Sequence, residues 1–382
     1  MSVYLDFNSS APIDERVLNY MIEIYRSSYG NADSRTHTFG DKARHVVELA
    51  RKQVASILAI KADEVFFTSG ATESNNIAIQ GLNDYAVQTG KKHIVTSTIE
   101  HKAVLETIKH MERDGYEVTW IDPGRDGRIS AKKVKSSVRD DTLLVSIMHV
   151  NNETGIIQPI QEIGEFCSEK KVLFHVDATQ SFGKLVNELR EAKYDMLSMS
   201  AHKIGGPQGV GALILRRKRY KLPPVKGIMY GGQQEHEIRP GTIPVALVAG
   251  LGKAAEIAEN EFQEQKEQCV HIKERICQLL EDSNVDYIVN GSQEYCIFTT
   301  LNLSFTAVSS EALMLSTKQF CGVSNGSACN SNSYAPSYVL TAMGIPADQI
   351  ESAIRISWGA STDLTELEIQ FKELLNVVRS LA

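Results

Sequence analysis

The chain has 382 residues, 42% of them hydrophobic and 23% charged, with a formal net charge of −7. This is an ordinary globular composition, long enough for one large α/β domain and a smaller one, and its acidic balance argues against direct nucleic-acid binding. Apolar runs stay short of the ~18 residues of a membrane span, and Met1-Ser-Val-Tyr-Leu-Asp6 lacks the basic and apolar blocks of a signal peptide. The dense basic run Arg216-Arg-Lys-Arg219 reads as a solvated turn. Cysteines at 167, 269, 277, 296, 321 and 329 form no CxxC pair. Neither a disulfide framework nor a metal site is expected, and the compartment is read as reducing and cytoplasmic.

Val3–Phe7 reads as a short strand, followed by the turn-rich Asn8-Ser-Ser-Ala-Pro12. Apolar residues at 17, 18, 21, 22 and 24 predict a helix over Asp14–Ser27. Residues 29–40 are polar and irregular, and Lys42–Leu58 is an amphipathic helix. Strands at Glu64–Phe67, His93–Ser97, Val118–Ile121, Thr142–His149, Val172–Val176, Tyr194–Met199 and Gly211–Leu215 follow, interleaved with helices at Glu73–Leu82, Lys102–Asp114 and Ile160–Glu169. This alternation predicts an α/β fold with a mainly parallel sheet covered on both faces. A long helix from Ile243 to about Lys273 leads into a region of different texture. There Tyr287–Val289, Ile297–Ser304 and Ala353–Ser357 read as strands, and Glu311–Phe320 and Leu364–Leu381 as helices, the last capped by Ser361-Thr-Asp363. The expected division is a large domain over 13–259 and a smaller α+β domain made of 1–12 with 260–382.

The chemistry-bearing residues follow strands, whose C-terminal ends face the ligand crevice of such sheets. Thr68-Ser-Gly-Ala-Thr-Glu-Ser-Asn75 opens a helix with small residues and hydroxyls. It reads either as a phosphate cradle or as a capped turn, and it lacks the ending of a Walker loop. Asp177, in His175-Val-Asp-Ala-Thr-Gln180, is either a helix cap or the anion that keeps a pyridine nitrogen protonated. His101 is a capping histidine or a group stacked on a flat ring. Asn152 and Gln180 are turn residues or hydrogen-bonding partners of a phenolic oxygen or a carboxylate. In Ser198-Met-Ser-Ala-His-Lys-Ile-Gly-Gly-Pro207, Lys203 is a solvated strand-end lysine or a desolvated nucleophile. Together they match what pyridoxal 5'-phosphate requires: a Schiff-base lysine, an anion for the ring nitrogen and an anion hole for the phosphate.

Over nearly its whole length the sequence resembles the NifS/IscS-type cysteine desulfurases, class-V aminotransferase-like enzymes of PLP fold type I. The resemblance rests on Tyr4-Leu-Asp, Gly30-Asn31, Thr68 to Asn76, Glu100-His101, Met148-His-Val-Asn-Asn-Glu-Thr-Gly155, His175-Val-Asp-Ala178, Ser200-Ala-His-Lys203, Arg239-Pro-Gly-Thr242, Gly326-Ser-Ala-Cys329, Ser352-Ala-Ile-Arg-Ile-Ser-Trp-Gly359 and Pro336-Ser-Tyr-Val-Leu340. It implies that Lys203 holds the cofactor and moves the substrate Cα proton. By the same resemblance Asp177 pairs with the ring nitrogen, His101 stacks on the ring, Asn152 orients the substrate and Gln180 bonds the ring hydroxyl. Ala71, Thr72, Ser200 and His202 would hold the phosphate, with Thr242 reaching it from the other subunit of a homodimer. Arg355 would bind the cysteine carboxylate, and Cys329, in a small and polar stretch, would take the sulfur.

The implied reaction converts L-cysteine to L-alanine with a persulfide on Cys329, passed to a protein acceptor of an iron–sulfur, tRNA-thiolation or DNA-phosphorothioation (DndA-like) system. Selenocysteine lyase, a simple PLP aminotransferase and an inactive sulfur-relay scaffold are the alternatives. The family's usual Tyr-Gly-Pro-Lys-Gly is here Gly205-Gly-Pro-Gln-Gly209. Ala201 stands where serine is common, Asn330 follows the cysteine, and Asn8-Ser-Ser-Ala-Pro12 replaces a run of small residues and threonine.

Overall fold

The computed structural model describes residues 2–325 and 336–382. Its centre is a seven-stranded sheet of β2 (Val65–Thr68), β3 (His93–Ser97), β4 (Glu117–Ile121), β5 (Thr142–Ser146), β6 (Leu173–Asp177), β7 (Met196–Ser200) and β8 (Gly211–Leu215). The order is β2-β8-β7-β6-β5-β3-β4. β8 alone runs antiparallel to its neighbours. It follows β7 after ten residues with no crossover α-helix, and a parallel return needs such a crossover.

Alternate residues of the strands feed two different cores, as the two-residue side-chain period requires. Phe67, Val95, Val145, Phe174, Leu197 and Ile214 face one side, and Phe66, Ile94, Leu144, Met196 and Leu213 the other. Covering helices are α1 (Glu15–Ser27), α2 (Thr38–Ile57), α3 (Ala71–Gln80), α4 (Asn83–Thr89), α5 (Lys102–Arg113), α6 (Ala131–Ser137), α7 (Ile160–Lys170) and α8 (Val186–Glu191). The expected start of α2 at Lys42 is corrected to Thr38, because His37 caps it, its Nδ1 accepting from Gly40 N at 3.1 Å.

α9 (Val245–Glu281) is one continuous helix. Val248, Leu251, Ala255 and Ala258 join the first core, and Cys269, Ile272, Ile276 and Leu279 join another. That second core lies under β9 (Tyr287–Val289), β10 (Thr300–Phe305) and β12 (Ala353–Ser357), an antiparallel sheet ordered β12-β10-β9, and under α10 (Ser310–Thr317) and α13 (Leu364–Leu381). β1 (Val3–Tyr4) pairs in parallel with β11 (Cys321–Gly322), so the N-terminus joins this part of the chain. α11 (Tyr338–Ala342) and α12 (Ala347–Glu351) complete it. Asp363 caps α13 as expected, accepting from Glu366 N at 2.8 Å.

Candidate active site

β2, β3, β5, β6 and β7 point the same way. The segments that follow them therefore emerge on one edge of the sheet, carrying Gly70–Asn75, Glu100–His101, Asn151–Glu153, Asp177–Gln180 and Ser200–Lys203. Registers fix the pairing of these ends, since Thr68 and Ser200 both lie opposite Gly211. A Cβ on Gly211 would lie 2.7 Å from Gly70 Cα, so the glycine permits the close approach of the two loops. Gly70 itself has φ +151, and a Cβ there would stand 3.6 Å from Ser200 Oγ. Ser200 thus faces the N-terminus of α3, where Ala71 and Thr72 form the first turn and helix N–H groups attract an anion.

Asp177 is 4% exposed and its carboxylate is held from two sides. Asn75 Nδ2 donates to Oδ2 at 2.8 Å, and the backbone N and Oγ1 of Thr179 donate to Oδ1 at 3.0 and 2.5 Å. Such donors fix the direction of the carboxylate. The Lys203 amine donates to the carbonyls of Asn8 and Ser9, at 2.6 Å each. Gln180 Nε2 donates to the same Asn8 carbonyl at 2.9 Å, which fixes its amide orientation.

His101 combines two of its readings. It caps α5, its Nδ1 accepting from Ala103 N at 3.1 Å, and this leaves the proton of the neutral ring on Nε2. Burial pushes its pKa down, opposed by Asp177 and reinforced by Lys203 and Lys102. His202, whose Nδ1 lies 3.2 Å from Ser10 Oγ, is pushed down to about 4 by burial and then by the Lys203 charge. Both rings are therefore neutral near pH 7. Next to His101, the Glu100 carboxyl is pushed up to about 8 by burial, against hydrogen bonds from Ser97 Oγ and Met148 N and with further repulsion from Asp177.

Arg355, on β12, reaches across to this edge. Nη1 donates to the Asn152 carbonyl at 2.9 Å, and Nη2 to Asp6 Oδ1 at 2.5 Å and Ser9 Oγ at 2.8 Å. Among the described residues its Nε is buried without a partner, as are Asn152 Oδ1, Gln180 Oε1 and Asn75 Oδ1. Orphaned buried polar atoms carry a cost that a bound polar molecule removes. An anion hole, a fixed carboxylate, a lysine and unpaired amides on one edge fit a phosphorylated pyridine aldehyde.

Residues 3–369 match the aminotransferase class-V family. The chain belongs to that family. Within the class-V aminotransferases it is 43% identical over 384 residues to the cysteine desulfurase IscS of Histophilus somni (strain 2336), covering 100% of this chain and 94% of that protein. Among solved structures, a NifS-like protein superposes with a TM-score of 0.91 at 34% identity, covering 100% of both chains. DndA from Streptomyces lividans superposes with a TM-score of 0.81 at 42% identity, covering 92% of this chain and 98% of that one. The fold is that of the PLP fold-type I enzymes, and the cofactor of this member of the class-V family is pyridoxal 5'-phosphate.

Lys203, Asp177, His101, Asn152, Gln180, Ser200, His202, Ala71, Thr72 and Arg355 thus sit on or reach one edge. Thr242 does not join them within one chain; it is exposed on the segment entering α9 and has no side-chain hydrogen bond among the described residues. Cys329 lies outside the described residues. Burial holds the Cys167 and Cys321 thiols up to about 12 and Cys269 up to about 11, in keeping with their reading as structural. Among the described residues there is no metal-binding cluster, and no helix is long and apolar enough to cross a membrane. Asn75, Thr179, Asp6 and the side chain of Asn8 were not singled out from the sequence. For Asn75 a signal existed: a polar residue one turn into the helix that opens with the cradle points back at the strand ends.

Proposed function

We propose that this protein is a cysteine desulfurase that converts L-cysteine to L-alanine and leaves the sulfur as a persulfide on Cys329. The observation that carries the reading is the meeting of the Lys203 amine, the doubly held Asp177 carboxylate and the neutral His101 on one sheet edge, with Arg355 beside them. Relatives named cysteine desulfurase span essentially the full chain and support it.

Pyridoxal 5'-phosphate, when bound, supplies an electron-withdrawing ring that acidifies the substrate Cα–H. Asp177, held by Asn75 and Thr179, would keep the ring nitrogen protonated, and His101 would lie against the ring. Gln180, oriented by the Asn8 carbonyl, would bond the ring hydroxyl. The N–H groups of Ala71 and Thr72, with Ser200 and His202, would take the phosphate, joined in a homodimer by Thr242 of the partner subunit. Arg355 and Asn152 bind and orient the cysteine carboxylate. Lys203 takes the Cα proton and returns a proton to the carbon skeleton. The Cys329 thiolate attacks the substrate sulfur: an S–S bond forms and the C–S bond breaks. The carbon fragment keeps that electron pair and is protonated to alanine, so cysteine plus thiol gives alanine plus persulfide.

A homodimer is supported by α1, where Leu18, Ile22 and Tyr25 form one exposed apolar stripe, and by Tyr29, which is 69% exposed and stacks on Phe39. The division into 13–259 and 1–12 with 260–382 accords with the passage of α9 from one core to the other. The product sulfur goes to a cytoplasmic protein acceptor of an iron–sulfur, tRNA-thiolation or DNA-phosphorothioation system, and capture of partners by the persulfidated enzyme distinguishes these. The test of the function is alanine and sulfide formed from L-cysteine by purified protein with a thiol reductant, accompanied by visible absorption from lysine-bound cofactor. A pure protein that retains neither the absorption nor the activity overturns the reading.

A further inference from the structure

A cavity adjoins the site above and shares Lys203 with it. It has a volume of about 670 Å³ and lies between the N-terminal segment, α9 and the turn at Trp358–Asp363. Tyr4, Phe7, Phe262, Phe298 and Trp358 line it, whereas Asp177, His101, Gln180 and Arg355 do not. The segment Tyr4–Pro12 is the partition. Tyr4, Phe7 and Pro12 line the cavity, while Asp6 and Ser9 hold Arg355 on the other side; Lys203, whose amine donates to the Asn8 and Ser9 carbonyls, also lines the cavity.

One charge in this wall is uncommitted. Lys184 lines the cavity and is partly buried, yet its amine has no hydrogen bond or ion pair among the described residues. The carboxylates that share the lining are engaged or outside. Asp14 pairs with Arg16, Asp363 caps α13, Glu366 accepts from Gln370, and Glu15 is exposed. The neighbouring Cys269 thiol stays protonated, its pKa pushed up to about 11 by burial. A second cation, Lys266, stands 5.9 Å over the Phe298 ring. Burial pushes Lys184 down to about 8, so it still carries its proton near pH 7, without a counter-ion. A cavity of this size with five aromatic side chains in its lining has the anatomy of a small-molecule site, and a partly desolvated ammonium gains most from an anion.

We propose that this cavity binds an apolar carboxylate, a medium-chain fatty acid being the simplest, with its carboxylate on Lys184 and its hydrocarbon body against the aromatic wall. The site adjoins the catalytic edge at Lys203 and does not depend on the proposed reaction.

The test is equilibrium dialysis of the holoenzyme against decanoate below its micelle concentration. Fluorescence of Trp358 in a Trp120→Phe background is followed in parallel. Saturable binding of one decanoate per chain is expected, with 1-decanol and decylamine weaker by at least about tenfold, the worth of a charged hydrogen bond. Lys184→Met should lose affinity by the same factor and Lys184→Arg should retain it. Absence of saturable decanoate binding overturns the proposal. So does decanol binding as tightly as decanoate, a comparison that needs no variant, or undiminished binding by a folded Lys184→Met.

Discussion

Asn75 Nδ2 donates to Asp177 Oδ2 at 2.8 Å, joining the first helix of the anion cradle to the carboxylate at the end of β6. The bond couples the ends of the site proposed for the phosphate and for the ring nitrogen through two buried side chains. Asn75→Ala would leave the Asp177 carboxylate short of a charged hydrogen bond. Cofactor affinity should fall by about 10–100-fold, since such bonds are worth about 1.5–3 kcal/mol. Cofactor release on dialysis, followed by absorbance, measures this, and retention equal to wild type would show that Asn75 does not support Asp177.

Arg355 presents Nη1 to the Asn152 carbonyl and Nη2 to Asp6 and Ser9, with Nε unpaired among the described residues. Arg355→Lys keeps the charge but loses the planar fork. The KM for cysteine should rise by about tenfold or more, with a smaller change in kcat. Steady-state rates of alanine formation provide the check.

The sheet and the strand-end positions of the site residues were legible in the sequence, because apolar strands between amphipathic helices leave one topology and put the strand C-termini on one edge. Lys203, Asp177, His101, Asn152 and Gln180 were all found by that rule. The positioning contacts were not legible. Asp6 and Asn8 lie some 350 and 290 residues from their partners Arg355 and Thr300, and no local periodicity reports such a contact. The short helices α4, α6, α8, α11 and α12 also escaped, since two turns or fewer carry too little periodicity to stand out. His101 shows why competing readings of one residue need not exclude each other: Nδ1 caps a helix while the other ring nitrogen keeps its proton.

Glu100 makes stability fall as pH rises. Its carboxyl is pushed up to about 8 from the usual 4.5, so between those values the native state keeps a proton that the unfolded chain has released. Wild type should lose about 2–5 kcal/mol from this group between pH 5 and 8. Glu100→Gln, whose amide oxygen can still accept from Ser97 and Met148, should lack that loss. Denaturant unfolding of both proteins at the two pH values, taken as a difference, isolates the contribution.

His175 acts at the other end of the pH range. Its ring lies between Ser146 Oγ at 2.8 Å and Ser198 Oγ at 3.0 Å, and burial, opposed by Asp177, pushes it down to about 4. As pH falls from 6.5 toward 4 the unfolded chain takes up a proton that the native state refuses, and stability is lost across that window. His175→Gln should flatten the decline by about 1–3 kcal/mol relative to wild type. Melting temperatures at pH 4.5 and 7 test it.

The division between lysine chemistry and cysteine chemistry is the centre of the account, and Cys329→Ser tests it most directly. The holoenzyme is incubated with L-cysteine without reductant, alanine is quantified, and the Cys329 peptide is examined by mass spectrometry. Wild type should form alanine and gain one sulfur atom on Cys329, while Cys329→Ser, still carrying cofactor on Lys203, should form almost no alanine. Alanine formed at the wild-type rate by Cys329→Ser, or sulfur carried by a different cysteine, would contradict it.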